Sequence, residues 1–339
     1  MGRSVLRVLL AIVLIVVTSC HLSSSQPPPV SSPYTPNPTL QTLPQPIPTK
    51  QPVPQIDPDR LFQHVEALNF ERYQASDRDR ARRYLVRTLV KFGWKPQLRA
   101  FEGGVNVFAQ RSGTNASAGA ILVDAHYDTV KGSPGADDNG SSIAATLEIA
   151  RLLGSRSTQR PLWIAFFDRE EAGLVGSLNF TARPENLVNL AGVVNLEMMG
   201  YACYTSGCQK YPEGLPVKPL SDRGDFLGVI GDQEHLPLLN AFQVPASTPS
   251  ALNLPAIITV SIPFKGLLTP DVLRSDHAPF WAKNIGAVMV GDTANFRNPH
   301  YHQPSDTPET LDRAFLAGAT QRVVNAISTL LDSQEALSN

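Results

Sequence analysis

The chain has 339 residues, enough for one large α/β domain with a sizeable core. Lys and Arg number 29 against 30 Asp and Glu, a net charge of −1, so no basic surplus exists to neutralise phosphates and nucleic-acid binding has no electrostatic support. Hydrophobic residues make up 42 %, ordinary for a soluble domain.

The first segment reads as separate from the fold. Arg3 and Arg7 precede an apolar run from Val8 to Val17, about 10 residues and too short to span a bilayer. A basic start, a short apolar stretch and a small-residue exit make a secretory signal. The exit, Val17-Thr18-Ser19-Cys20, resembles a bacterial lipobox. That resemblance implies a lipoprotein signal peptide over 1–20, a lipid on Cys20 and a membrane tether in the bacterial cell envelope, periplasmic or on the outer surface. An ordinary signal peptide with an incidental Cys is the plainer alternative. Residues 21–58 read as a disordered stalk. Over 24–58, 12 of 35 residues are Pro and the only charges are Lys50 and Asp57, a composition that stays extended. A ligand for Pro-binding modules is the other reading. Residues 59–339 are the expected folded domain.

Within that domain, Leu61, Val65 and Leu68 recur at helical spacing, and a second helix is expected from about Asp77 to Phe92, ended by Gly93. Strands are expected at 105–110 and 120–125, a helix at 141–153, and a strand buried on both faces at 161–167. Two more strands are expected at 192–196 and 287–290, and a last helix from near Thr307, with Pro308 in its first turn, to about Leu331. Residues 203–275 read as long, irregular and Pro-containing, a stretch expected to shape a pocket. Cys203 and Cys208 are expected to pair in an oxidising envelope. Strands alternating with helices imply an α/β fold with a mixed, mostly parallel central sheet and helices on both faces.

Ligand-capable residues cluster just past the strand ends. His126 and Asp128 follow one strand, Asp168, Glu170 and Glu171 another, and Glu197 a third. Open α/β sheets place their sites there. His126 can bind Zn²⁺ while Asp128 fixes its ring. Asp137 sits in a Gly-flanked turn able to bring a carboxylate to a cation, although Asp and Asn there also suit a helix cap. In the pair Glu170-Glu171, one carboxylate can bind metal while the other takes a proton. Glu197 lies within an apolar strand, costly unless paired or metal-bound. His302 and His300 compete for a role just before the last helix.

Six blocks now stand in order: H-Y-D, P-G-A-D-D-N-G-S, E-E-A-G-L-V-G-S, N-L-E-M-M-G-Y, S-D-H-A-P-F-W and Y-H-Q-P-S-D-T. Together, over roughly residues 60–335, they resemble the zinc aminopeptidases of metallopeptidase family 28, which also includes carboxypeptidases. The resemblance implies the zinc exopeptidase (phosphorylase/hydrolase-like) fold, two Zn²⁺ per chain and peptide substrates. It implies that His126 and Glu197 bind one zinc, Glu171 and His302 the other, and that Asp137 bridges them. Glu170 is then the general base, and Asp128 supports His126. A non-proline cis peptide is expected at Asp137–Asp138, and Asp276 is expected to support the site from behind. Many members have Asp where this chain has Glu197, and the Tyr that stabilises an oxyanion in several members has no assigned position here. Arg274 is a candidate for a substrate carboxylate or a surface ion pair. Two other readings remain: a single-zinc glutaminyl cyclase and a non-catalytic binding domain on the same fold. Oligomeric state is not legible.

Overall fold

A computed structural model describes residues 51–215, 221–245 and 249–337. The signal segment with Cys20, and the stalk as far as Lys50, lie outside the described residues. Residues 51–57, read in sequence as stalk, are instead packed on the domain. Val53 and Ile56 are buried, and the Ile56 N–H donates to Gln321 Oε1 at 2.8 Å. These residues therefore belong to the packed domain, which reaches earlier than the expected boundary at 59.

The helices α1 (Pro58–Ala67) and α2 (Ala75–Lys91) come first. Asp57 caps α1, and α2 buries Ala81, Leu85 and Leu89 at helical spacing. A hairpin of β1 (Gln97–Phe101) and β2 (Gly104–Arg111) follows. Then come β3 (Ala120–His126), α3 (Ser142–Leu153), β4 (Leu162–Phe167), α4 (Val175–Thr181) and β5 (Leu190–Glu197). The chain continues through β6 (Phe226–Asp232), α5 (Leu236–Asn240), β7 (Ala256–Ile262), α6 (Ala278–Trp281), β8 (Ala287–Gly291) and α7 (Arg313–Asp332).

The eight strands form one sheet in the order β1-β2-β4-β3-β5-β8-β6-β7. Strands β4, β3, β5 and β8 run parallel, the hairpin and the β6–β8 contact are antiparallel, and β6 pairs β7 in parallel. The sheet is therefore mixed, as expected. Every residue of β3 is buried, which explains its unbroken apolar run. Its side chains divide by alternation. Ile121, Val123 and Ala125 join the core under α1, α2, α3 and α7, while Ala120 and Leu122 join the opposite core with Phe180, Phe280 and Trp281.

Three expectations need correction. The stretch 203–275 is not irregular throughout, because it holds β6 and β7, whose apolar runs are interrupted by glycine or flanked by proline. β1 was not expected, since its side chains are mostly exposed and carry no apolar run. The last helix starts at Arg313, capped by Asp312, because Leu311 is extended and cuts it off from the single turn at Pro308–Thr310. Cys203 and Cys208 form a disulfide.

Candidate metal centre

The parallel strands β3, β4, β5 and β8 end on one edge, and their exits bring the site together. His126 is the last residue of β3 and is buried, with Nε2 facing three carboxylates: Asp138 Oδ1 at 3.4 Å, Glu197 Oε1 at 3.5 Å and Glu170 Oε2 at 3.9 Å. Its Nδ1 faces Asp128 Oδ1 at 3.6 Å. His302 Nε2 lies 3.2 Å from Asp138 Oδ2 and 3.1 Å from Glu171 Oε2. The two oxygens of Asp138 thus face two different histidines.

Asp138, not Asp137, occupies the central place. Asp137 is buried with both oxygens already taken: Oδ1 accepts from Ser141 Oγ (2.8 Å) and the Gly200 N–H (2.9 Å), and Oδ2 accepts from Asn298 Nδ2 (2.7 Å). Those donors draw its side chain toward the exit of β5 and leave Asp138 facing the histidines. The cis peptide likewise falls at Asp138–Asn139, one bond later than expected.

Several groups that the sequence pattern did not mark hold this loop. Asp306 accepts from the Asp137 N–H (2.8 Å) and the Asp138 N–H (3.0 Å). Asn139 bridges to β5 by donating to Leu196 O and accepting from the Met198 N–H, both at 3.0 Å. Arg72 is fully buried and donates to the carbonyls of Tyr127 (2.8 Å), Pro134 (2.7 Å) and Gly135 (2.9 Å), fastening the loop to the end of β3. Gly135 takes φ 62°, and a Cβ there would meet Asp138 O at 2.2 Å, so the turn requires glycine. No spacing signals Arg72, whereas Asp306 sits in a quoted block but had no assigned role.

Asp128 accepts from the N–H groups of Glu170 (3.0 Å) and Glu171 (3.2 Å), which fixes the strand-end pair as well as facing His126. Ser275 Oγ donates to Glu197 Oε2 at 2.6 Å. Asp276 is buried close behind, and burial, reinforced by the charges of Glu197 and Asp128, pushes it up to about 7. His300 is turned away, its Nδ1 against Ser305 Oγ at 2.9 Å. Tyr301 lies in the cleft with its ring stacked on His302 at 3.7 Å. Burial and the Asp138 charge hold its phenol protonated, leaving it a hydrogen-bond donor.

The electrostatics call for cations. Burial pushes Glu170 well above the usual carboxylate range, and the Glu197 charge adds to that. Glu171 is pushed up to about 7 by burial and by Asp138. Burial opposes charge on His302, yet Asp138 and Glu171 outweigh it and push the imidazole up to about 10. Glu171 Oε1 and His302 Nε2 are buried without a hydrogen bond. His126, Asp138 and Glu171 converge within 4.8 Å, as do His126, Glu170 and Glu197. Imidazole nitrogens and carboxylate oxygens gathered in this way suit Zn²⁺.

Residues 106–217 match Peptidase family M28, a segment that holds all the candidate ligands except His302. The chain is 34% identical over 224 residues to YfbL of Escherichia coli, an uncharacterized protein, covering 62% of this chain and 66% of that one. It is 32% identical over 225 residues to LpqL of Mycobacterium tuberculosis, a probable lipoprotein aminopeptidase, covering 62% of this chain and 42% of that one. The chain thus spans less than two thirds of the length of either relative. Its fold is that of the LapA aminopeptidase of Legionella pneumophila, with a TM-score of 0.63 at 19% identity over 83% of this chain and 73% of that one. Residues 106–217 thus match the Peptidase family M28 model, and the chain is similar in sequence to a probable lipoprotein aminopeptidase and in fold to an aminopeptidase.

Proposed function

We propose that the chain is a two-zinc exopeptidase that removes N-terminal residues from peptides. The observation that carries this reading is Asp138, one carboxylate set between two histidines with an oxygen toward each. His126 and Glu197 would hold one zinc, Glu171 and His302 the other, with Asp138 shared between them. When bound, zinc supplies an acidified water and a polarised scissile carbonyl. Glu170, buried and with a raised affinity for protons, takes a proton from the attacking water and passes it to the leaving amine. Tyr301 donates to the oxygen that gains charge as the carbonyl is attacked. Asp128 keeps Glu170 and Glu171 in register through their N–H groups. The free α-amine of the substrate finds partners among the carboxylates of the cleft.

Export and lipid attachment at Cys20 belong to the same proposal. They are supported by the lipobox-like exit Val17–Cys20.

Replacing Glu170 by Ala tests the base. The variant should keep its zinc and lose about 100-fold or more in kcat on aminoacyl p-nitroanilides. Unimpaired turnover would remove Glu170 from this role.

A further inference from the structure

The cleft beside the candidate metal centre has two unlike walls. One is made of carboxylates: Asp138, Glu170, Glu171 and Glu197. The other is apolar and lies on the half-buried face of β6, β7 and β8, with Ile230, Ile258, Val260 and Met289. Arg274 lines both, together with Glu197 and Tyr301. Lys210 lines the apolar part alone.

The charge of Arg274 is little used within the chain. Its Nη2 donates to Tyr301 Oη at 2.9 Å and its Nη1 to Asn295 Oδ1 at 3.2 Å, and both acceptors are neutral. Its ion pair with Asp271 is 3.8 Å long between side chains 47% and 46% exposed, a geometry that contributes little. The contacts to Tyr301 and Asn295 fix the guanidinium without neutralising it. A guanidinium has five donors in a planar fork that matches a carboxylate. A cleft walled by carboxylates repels an anionic ligand, and a held cation at its border gives such a ligand one place to bind.

We propose that Arg274 receives a carboxylate of the substrate and so favours substrates that carry one. The carboxylate comes from the free C-terminus of a dipeptide or from an acidic side chain next to the scissile bond. This rests on the exopeptidase reading for the orientation of the peptide. The α-amine then faces the carboxylate wall, the first side chain faces the apolar wall, and the carboxylate meets Arg274.

The test compares matched substrates in the zinc-loaded full chain. Leucylglycine against leucylglycinamide reads the terminal carboxylate, and leucylaspartate amide against leucylasparagine amide reads the side chain. In the unmodified protein at least one carboxylate member should exceed its neutral partner about fivefold or more in kcat/KM, mainly through KM. Arg274→Gln should bring that ratio close to one, and Arg274→Lys, which keeps the charge and loses the fork, should retain part of it. The same pairs titrated calorimetrically into Glu170→Ala, with and without Arg274→Gln, read binding without turnover. Equal treatment of both members by the unmodified protein, in rate and in binding, overturns the proposal. So does an Arg274→Gln variant that weakens both members by the same factor, which would place Arg274 behind Tyr301 only. A binding difference without hydrolysis would instead strike the exopeptidase reading and leave Arg274 in place.

Discussion

His302 owes its position to its immediate neighbours. Its backbone takes φ 59°, uncommon for a residue with a Cβ, and Tyr301 stacks on its ring. Nε2 then meets Asp138 and Glu171, while His300, two residues earlier, turns to Ser305. His302→Ala should therefore lower zinc content while His300→Ala keeps it, as read by metal analysis of the purified chains. The reverse pattern would mean that the wrong imidazole has been chosen. The sequence made His126, Glu170, Glu171 and Glu197 legible because each lies at or just past the end of a strand. It could not separate Asp137 from Asp138. Adjacent acids in one turn have the same composition and spacing, and the choice is made by Ser141, Gly200 and Asn298, which are near only once the chain has folded. Arg72 was invisible for the same reason, because its acceptors are backbone carbonyls and carry no residue signature.

Among the elements, the short α6 carries a test of burial. His277, just before it, is fully buried, gives a hydrogen bond from Nε2 to Val272 O at 2.7 Å and meets the Trp281 ring at 4.6 Å. Burial lowers its pKa from 6.5 to about 4, against the contrary pull of the Val272 carbonyl. As pH falls, the unfolded chain takes up this proton first. The neutral ring's contribution is complete above about 6.5 and is lost as pH drops toward 4, a change of about 3 kcal/mol. Denaturant unfolding of the zinc-free chain at pH 7 and pH 4.5 should show a larger loss for the unmodified protein than for His277→Gln, and equal losses would contradict this. The strands most legible in the sequence are β3 and β4, nearly every residue of which is buried in a long apolar run. β1, β6 and β7 lie toward the sheet's margins, where exposure and glycine dilute that pattern.

On the scale of the whole molecule, the parallel strands gather the site on one edge, and α7 closes the chain beyond His302. Among the described residues no helix is long and apolar enough to cross a membrane. The proposed tether is a lipid on Cys20. Radiolabelled palmitate fed to a bacterial host should mark the full chain and not Cys20→Ser, and an unlabelled full chain would contradict the tether. In the proposed account, a carboxylate of Asp138 shared by two metal ions sets the zinc stoichiometry of the chain. The full chain should hold two zinc ions per molecule by the proposed account, and Asp138→Ala should hold one or none. Two zinc ions retained in Asp138→Ala, or a single zinc in the unmodified chain, would contradict it.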